Sequence, residues 1–517
     1  TGGAVSGSYA TGTVQSVATD LEGLFPNVKT GGLIGRTNQS VADSYATGAV
    51  TVRDGGSTGG LVGSLSDANI SNSYAADVTD VGGLVGDIDG GNVSGSYASG
   101  AVTGDDRVGG LVGNLDNANI IRSNASGAVS GNDGDVGGLV GKMETTEIID
   151  SNASGAVSGD AAVGGLVGTI EIGNISNSYA SGSVTSDGFD DVGGLIGTHS
   201  DGDIVDSNAS GTVTGDDDVG GLVGETAAAE IVDSNASGAV SSTGDSAGGL
   251  IGDHDNSEII RSNASGNVSA DENYVGGLVG HLDGGDIRNS SATGSVTGET
   301  SEVGGLVGNV NTGNVSSSYA TGEVNGTTAV GGLIGKHSGL NVTDSYATGA
   351  VTGNSSVGGF VGNVTAASTV TGTNSTGGFA GTNNGTVTNA YWDTRTANQS
   401  SSAGGTGLTT RQLAGDPSKA NTTLDFTSTW SVIDNATYTS YPFLQANSQT
   451  PAPEATLPVS ISNVTVGNPS GQTVSVSLVA SRQLQSLSVN VSGVENATLS
   501  LSNVTETGSG PYTYTGS

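Results

Sequence analysis

The chain has 517 residues with 91 Gly, no Cys and one Met, only 13 Tyr, 6 Phe and 2 Trp, and 50 acidic against 13 basic side chains. A net charge of −37 repels phosphates and excludes a nucleic-acid binder. The lack of Cys excludes disulfides and thiolate metal sites, and no apolar run approaches the ~18 residues of a membrane-spanning helix. Large side chains are too scarce for the roughly three or four ordinary domains that the length would hold. The first residue is Thr with no secretory signal after it, so the sequence reads as a processed chain or an excerpt.

From the N-terminus the chain is repetitive. A pentad Gly-Gly-(Leu/Phe)-X-Gly, with X mostly Val or Ile, begins at 31, 59, 82, 109, 137, 164, 193, 220, 248, 276, 304, 331, 358 and 377. Most intervals are 27 or 28 residues, too short for a repeat to enclose its own core, so neighbours must stack. A second signature, Ser-(Tyr/Asn)-Ala-(Ser/Thr)-Gly-x-Val, alternates with the pentad from Ser8–Val14 to Ser345–Val351. Its copy at 73–79 is broken and falls in a 23-residue interval, read as a shortened turn.

Val and Ile recur, Gly, Asn and Asp punctuate, and no helical period is sustained. Three short strands per repeat are expected, centred on the pentad, on a lone Ile or Val, and on the Ala-x-Gly-x-Val segment. Residues 1–385 therefore predict an all-β parallel solenoid of about 14 coils, each rising ~4.8 Å. A β-branched residue three places before each Ser, as in Ile120, Ile148 and Ile175, forms one inward ladder. The second place after each pentad, as in Leu115, Met143 and Ile170, forms another. Strand alternation points Ser96, Ala98, Gly100 and Val102 inward, and Tyr97, Ser99 and Ala101 outward.

Residues 386–446 hold both Trp and predict a C-terminal cap covering the last strand edge, with Leu408–Ala414 as its best helix. Pro451, Pro453 and Pro458 mark a linker at 447–458. Alternating runs at 459–466, 472–479, 485–492 and 497–504, with a last one from Pro511, predict an antiparallel sandwich. With five strands against the usual seven, that sandwich is expected to be incomplete.

The pentads, followed by Tyr391-Trp392-Asp393-Thr394, Ala403-Gly404-Gly405-Thr406-Gly407-Leu408-Thr409-Thr410, Trp430 and Tyr441-Pro442-Phe443-Leu444, resemble the GLUG-motif repeat proteins of bacterial and archaeal cell surfaces. The resemblance covers about residues 1–445 and implies a surface architectural or adhesive role without implying any catalytic residue. The 459–517 segment resembles, more weakly, the immunoglobulin-like modules of archaeal surface proteins.

Residues 391–517 hold seven acidic and four basic residues, leaving 43 and nine, a net of −34, in the first 390. The acids sit at turns such as Asp105-Asp106 and Asp216-Asp217-Asp218, and stacking predicts acidic ridges whose repulsion molar salt would screen to ~3 Å. A halophilic archaeon is the expected source. Calcium is the alternative use of such turns, but the acids do not recur at one offset, so no cofactor is expected. Asn-x-Ser/Thr occurs 25 times. Asn124, Asn152, Asn208, Asn235 and Asn263 share one outward column as glycan acceptors. Tyr9, Tyr45, Tyr97, Tyr179, Tyr319 and Tyr346 share it as a surface-contact strip.

A glycoside hydrolase needs two carboxylates ~5–9.5 Å apart beside aromatic platforms. The array has no Trp, and its carboxylates lie at wet turns. His199, His254 and His337 fall in the inward column and His281 one place earlier, in separated coils that preclude a zinc cluster. No P-loop or dinucleotide fingerprint occurs, because no helix follows the Gly pairs. The expectation is a non-enzymatic, secreted, cell-surface structural or adhesive protein. Its partner is a further copy of itself, in a filament, pilus-like fibre or surface layer built head to tail. The first coil opens inside a repeat without a cap, which motivates that assembly. A surface glycan-binding or polysaccharide-degrading β-helix is the alternative.

Overall fold

The computed structural model describes residues 3–393 apart from 18–27, 54–55, 76–77, 80–81, 133, 189–190, 339–340, 365–368, 375–377 and 385. Beyond 393 it describes 402–408, 423–432, 442–445 and the backbone of six later strands. The chain divides into two compact units, Thr1–Gly407 and Leu408–Ser517, and the described residues contain no helix.

The first unit is a parallel β-solenoid, because each coil pairs with the next at one repeat's separation and in register. Val112 faces Val85 and Val140, and Ile120 faces Val93 and Ile148. Two ten-stranded sheets, from Val102–Gly104 to Val351–Thr352 and from Val108–Gly109 to Ser355–Gly358, run beside one long sheet. The regular stack amounts to about 11 turns, fewer than the 14 pentads. On the short faces the difference lies at both ends: toward the N-terminus they break into separate three- and two-stranded sheets, and the ten-stranded sheet through the pentads stops at Gly358, before the last pentad at 377. Val78–Thr79, in the shortened interval, is the last strand of the three-stranded piece.

Each coil differs from the expected three strands in one respect. The pentad is a corner and not the centre of a strand. Val108–Gly109 ends one strand, Gly110 and Leu111 bend, and Val112 starts another in a different sheet. The Ala-x-Gly-x-Val segment divides likewise: Asn124–Ala125 belongs to the long sheet and Val129–Gly131 to a ten-stranded one. Glycine is required at these bends because a neighbouring coil's backbone lies against the Cα. A Cβ on Gly221 would lie 2.1 Å from the Gly249 carbonyl oxygen, and one on Gly238 would lie 1.7 Å from that of Gly211.

Bending the pentad also divides the core in two. The larger channel takes the pentad Leu and Val or Ile, the lone Ile column, and the signature Ala. A narrower one is almost all valine, from Val102 and Val108 to Val324 and Val330, and stays narrow because glycines face it. A Cβ on Gly215 would lie 2.7 Å from Val192 Cγ2. The inward and outward assignment around Val102 is observed at six of its seven positions: Ser96, Ala98 and Val102 are buried and Tyr97, Ser99 and Ala101 are exposed, while Gly100, expected inward, is half-buried. In the last two pentads Phe replaces Leu, and Phe360 stacks on Phe379 at 4.6 Å.

Thr386–Asp393 pairs with Thr369–Asn374 as one more rung of the long sheet. The start expected for the cap at 386 thus falls inside the first unit, which ends at Gly407. In the second unit Trp430–Ser431 pairs antiparallel with Phe443–Leu444, and Trp430 is fully buried. Leu408 ends a strand, and the remainder of the helix expected at 408–414 lies outside the described residues, as does the 447–458 linker. Further on, Ile461–Val466, Val476–Ala480, Tyr512–Gly516 and Val504–Thr507 form an antiparallel sheet in that order, and Ser488–Val491 pairs with Ala497–Ser500. Six strands appear where five were expected, because the run at 497–504 divides.

Candidate functional site

The signature Ser is the most regular polar element of the molecule. The residue before it adopts a left-handed backbone, with φ of 51° at Asp206, 51° at Asp233 and 51° at Arg261. Asp and Asn tolerate that conformation better than most side chains and hold it in most coils. The bend turns the Ser hydroxyl inward. Its Oγ donates to the carbonyl two residues back and accepts the N–H of the Ser one coil earlier: Ser207 N–H to Ser234 Oγ at 3.1 Å, Ser234 Oγ to Val232 O at 2.9 Å, Ser234 N–H to Ser262 Oγ at 3.1 Å. The rail runs without a break from Ser8 to Ser345. Sequence reasoning placed these Ser inward but missed the rail, whose signal was an invariant hydroxyl in a column of small residues.

One residue on, the Tyr/Asn column faces outward. Tyr9, Tyr45, Tyr74 and Tyr97 stack ring on ring at 5.3, 4.9 and 5.0 Å, and Tyr319 stacks on Tyr346 at 5.0 Å. Tyr74, in the copy read as broken, completes the stack. Tyr346 departs from the expected exposed strip: it is buried, with Tyr319 on one side and the strand Thr369–Asn374 paired beyond it. Within the stack the ring faces are occupied by neighbouring rings, so edges and hydroxyls are what solvent meets. Tyr179 stands between Asn152 and Asn208 in register and bonds Ser210 through its hydroxyl. The five column Asn form amide ladders. Asn152 Nδ2 donates to Asn124 Oδ1 at 3.0 Å, Asn235 to Asn208 at 2.9 Å and Asn263 to Asn235 at 2.9 Å, and Ser291 closes the second run on Asn263.

His199, His254 and His337 are fully buried in the inward column, in register with Ile170, Leu282 and Val310 among others. Burial pushes all three down to about 4, so each imidazole is neutral. His199 Nε2 meets Gly173 O at 3.2 Å and His254 Nε2 meets Ser257 O at 3.1 Å. His281, one place earlier and half-exposed, is instead raised by its bond to Asp253.

The bend at the pentad brings two further columns together: the residue two places before the pentad and the residue immediately after it. Thr169 Oγ1 donates to Asp135 at 2.6 Å and Thr198 Oγ1 to Asp191 at 2.5 Å. Burial, with Asp253 and Asp191 nearby, pushes Asp218 up to about 7. Burial also raises Glu225, opposed by its bond to Asp191. Basic side chains answer acids from coil to coil, as Arg261 does with Asp233 at 2.7 Å and Lys336 with Glu302 at 2.9 Å. Turn acids serve the backbone as well: Asp217 accepts the Asp245 N–H at 2.9 Å and Asp245 that of Asn273 at 2.8 Å. Among the described residues no three His, Asp or Glu side chains are grouped to hold a metal ion, and no helix is long and apolar enough to cross a membrane.

These features define a parallel β-solenoid whose polar columns are coil-to-coil ladders. Four of its segments, 159–185, 191–214, 271–297 and 326–352, match the family model described as the GLUG motif, so these coils are GLUG repeats. No curated protein and no solved structure matches the chain.

Proposed function

We propose that the chain is a non-enzymatic structural or adhesive element of a cell surface, working in concentrated salt and assembling with further copies into a filament or layer. The observation that carries this reading is the direction of the bonding. Serine, tyrosine and asparagine columns all join coil to coil along one axis, the design of a stiff rod. A contact repeated head to tail along such an axis does not close and builds fibres. The acidic balance of the array, in which basic side chains such as Arg261 and Lys336 are held in cross-coil ion pairs, suits a medium that screens repulsion. In this reading the exposed sequons Asn124, Asn152 and Asn263 accept surface glycans. Electron microscopy of native surface material tests the proposal. Ordered filaments or sheets are expected, whereas dispersed monomers that cleave surface polysaccharide would replace it with an enzyme.

A further inference from the structure

At one coil-to-coil contact an amine and a primary amide that stand directly opposite each other meet the same carboxylate. Asn309 and Lys336 follow their pentads immediately and lie opposite one another in adjacent coils. Glu302, two residues before the first of those pentads, reaches both: Oε2 accepts from Asn309 Nδ2 at 2.7 Å and Oε1 from Lys336 Nζ at 2.9 Å. One carboxylate thus holds an amine and a primary amide on its two oxygens. The site is withdrawn from water. Asn309 is 6% exposed, and the side chains of Glu302 and Lys336 are 15% and 29% exposed. Asn309 Oδ1 is buried without a hydrogen-bond partner, an arrangement that costs stability unless the group has another use. Glu302 is aimed by a left-handed backbone, φ 64°.

We propose that Lys336 and Asn309 form an intramolecular isopeptide bond with Glu302 as the catalytic acid–base. The Lys336 ammonium passes a proton to Glu302 across their hydrogen bond, and the freed Nζ attacks Asn309 Cγ. A half-turn of the amide sets Oδ1 on the protonated Glu302, which supports the developing oxyanion. Collapse breaks the Cγ–Nδ2 bond: Nζ gives up one proton, Nδ2 gains one by way of the Glu302 carboxyl that touches both, and Nδ2 leaves as ammonia. Amine and primary amide thus become secondary amide and ammonia, with no oxidant or cofactor, and parallel register supplies the proximity that such a reaction needs. The bond clamps two coils of a chain that has no Cys for a disulfide.

The other two described lysines lack the arrangement. Lys142 lies opposite Asn114, but it pairs with Glu171 while Asn114 donates to Asp87. Lys29 shares Asp87 with Asn114, yet their pentads, at 31 and 109, are three coil steps apart along the stack. Lys336 also faces Asn363, whose Oδ1 is likewise buried without a partner. No carboxylate bridges that pair.

Tandem mass spectrometry of proteolysed full-length folded chain decides the matter. A branched peptide joining residues 309 and 336, lighter by one ammonia than its two parts and resistant to trypsin at Lys336, is the expected result. Lys336→Arg and Asn309→Ala abolish it, and Glu302→Gln, retaining the wild-type circular dichroism spectrum, slows its formation by about 100-fold or more. Unlinked Lys336 in the folded wild-type chain overturns the proposal whatever the variants do. So does linkage to Asn363, or linkage at the wild-type rate in Glu302→Gln.

Discussion

At the scale of single residues, the buried histidines and the half-buried acids pull stability in opposite directions with pH. His254 titrates near 4 in the fold and 6.5 when unfolded, so between those values the unfolded chain binds more protons. Its contribution is complete above about pH 6.5 and is lost as pH falls toward 4, up to about 3 kcal/mol for each such His. Asp218, pushed up to about 7 from 3.8, does the reverse. The fold keeps its proton, and the associated stability is present below about pH 4 and lost as pH rises through 7. His254→Leu, set between Thr226 and Leu282, should therefore gain on wild type as pH falls from about 7 to 4. Asp218→Asn should gain as it rises over the same range. Denaturant midpoints across that window check both, and parallel pH profiles for variant and wild type would contradict them. The serine rail offers a second test. Ser234→Ala removes the acceptor of the buried Ser207 N–H and should cost about 1–3 kcal/mol. The exposed Ser237→Ala, three residues along, should stay within about 0.5 kcal/mol. Urea unfolding of the two variants compares them directly.

The element that governs the fold is the bent pentad. A strand running straight through Gly-Gly-Leu-Val-Gly would present its residues to a single sheet. The bend gives Val108 to the narrow valine channel and Leu111 to the broad one. It depends on backbone packed against Cα, which no rotamer change relieves. Gly221→Ala, whose Cβ would lie 2.1 Å from the Gly249 carbonyl, should cost about 3 kcal/mol or more. In a stacked array that cost should appear as separate unfolding of the coils around 221 before the rest, because each coil leans only on its neighbours. Hydrogen exchange of the variant reads this as lost protection centred there. Uniform protection along the array would show that the neighbouring coils yield to a Cβ.

For the whole molecule, charge and geometry act together. Stacking converts a modest density of acids into columns separated by one coil, about 4.8 Å, where repulsion is strong at low ionic strength and short-ranged in molar salt. The melting temperature should fall when salt is lowered from above 1 M to about 0.1 M. The Asp191–Asp218–Asp253 region, where burial and like charges already raise Asp218, should loosen early. A melting temperature indifferent to salt would remove the halophilic part of the functional proposal.

Much of this architecture was legible in the sequence, because a parallel solenoid converts period along the chain into columns in space. Ile120 and Ile148 are 28 residues apart in sequence and opposite one another in the sheet. The inward histidines, the outward Tyr and Asn, and the alternation around Val102 all followed from that translation alone. What the period could not express is the path of the chain within a coil. The bend inside the pentad and the second channel depend on which columns the bends bring together, and the burial of Tyr346 depends on the strand that stacks beyond it. The same holds for the serine rail, where a left-handed residue turns a hydroxyl toward the next coil's N–H. Glu302 and Asn309 are seven residues apart, and nothing in that spacing predicts a shared hydrogen bond. The corner at Gly305–Leu306 between them is what folds the two columns into contact. Stacking is a one-dimensional rule that composition and spacing determine, whereas corner geometry is set by backbone packing between coils and exists only in the folded chain.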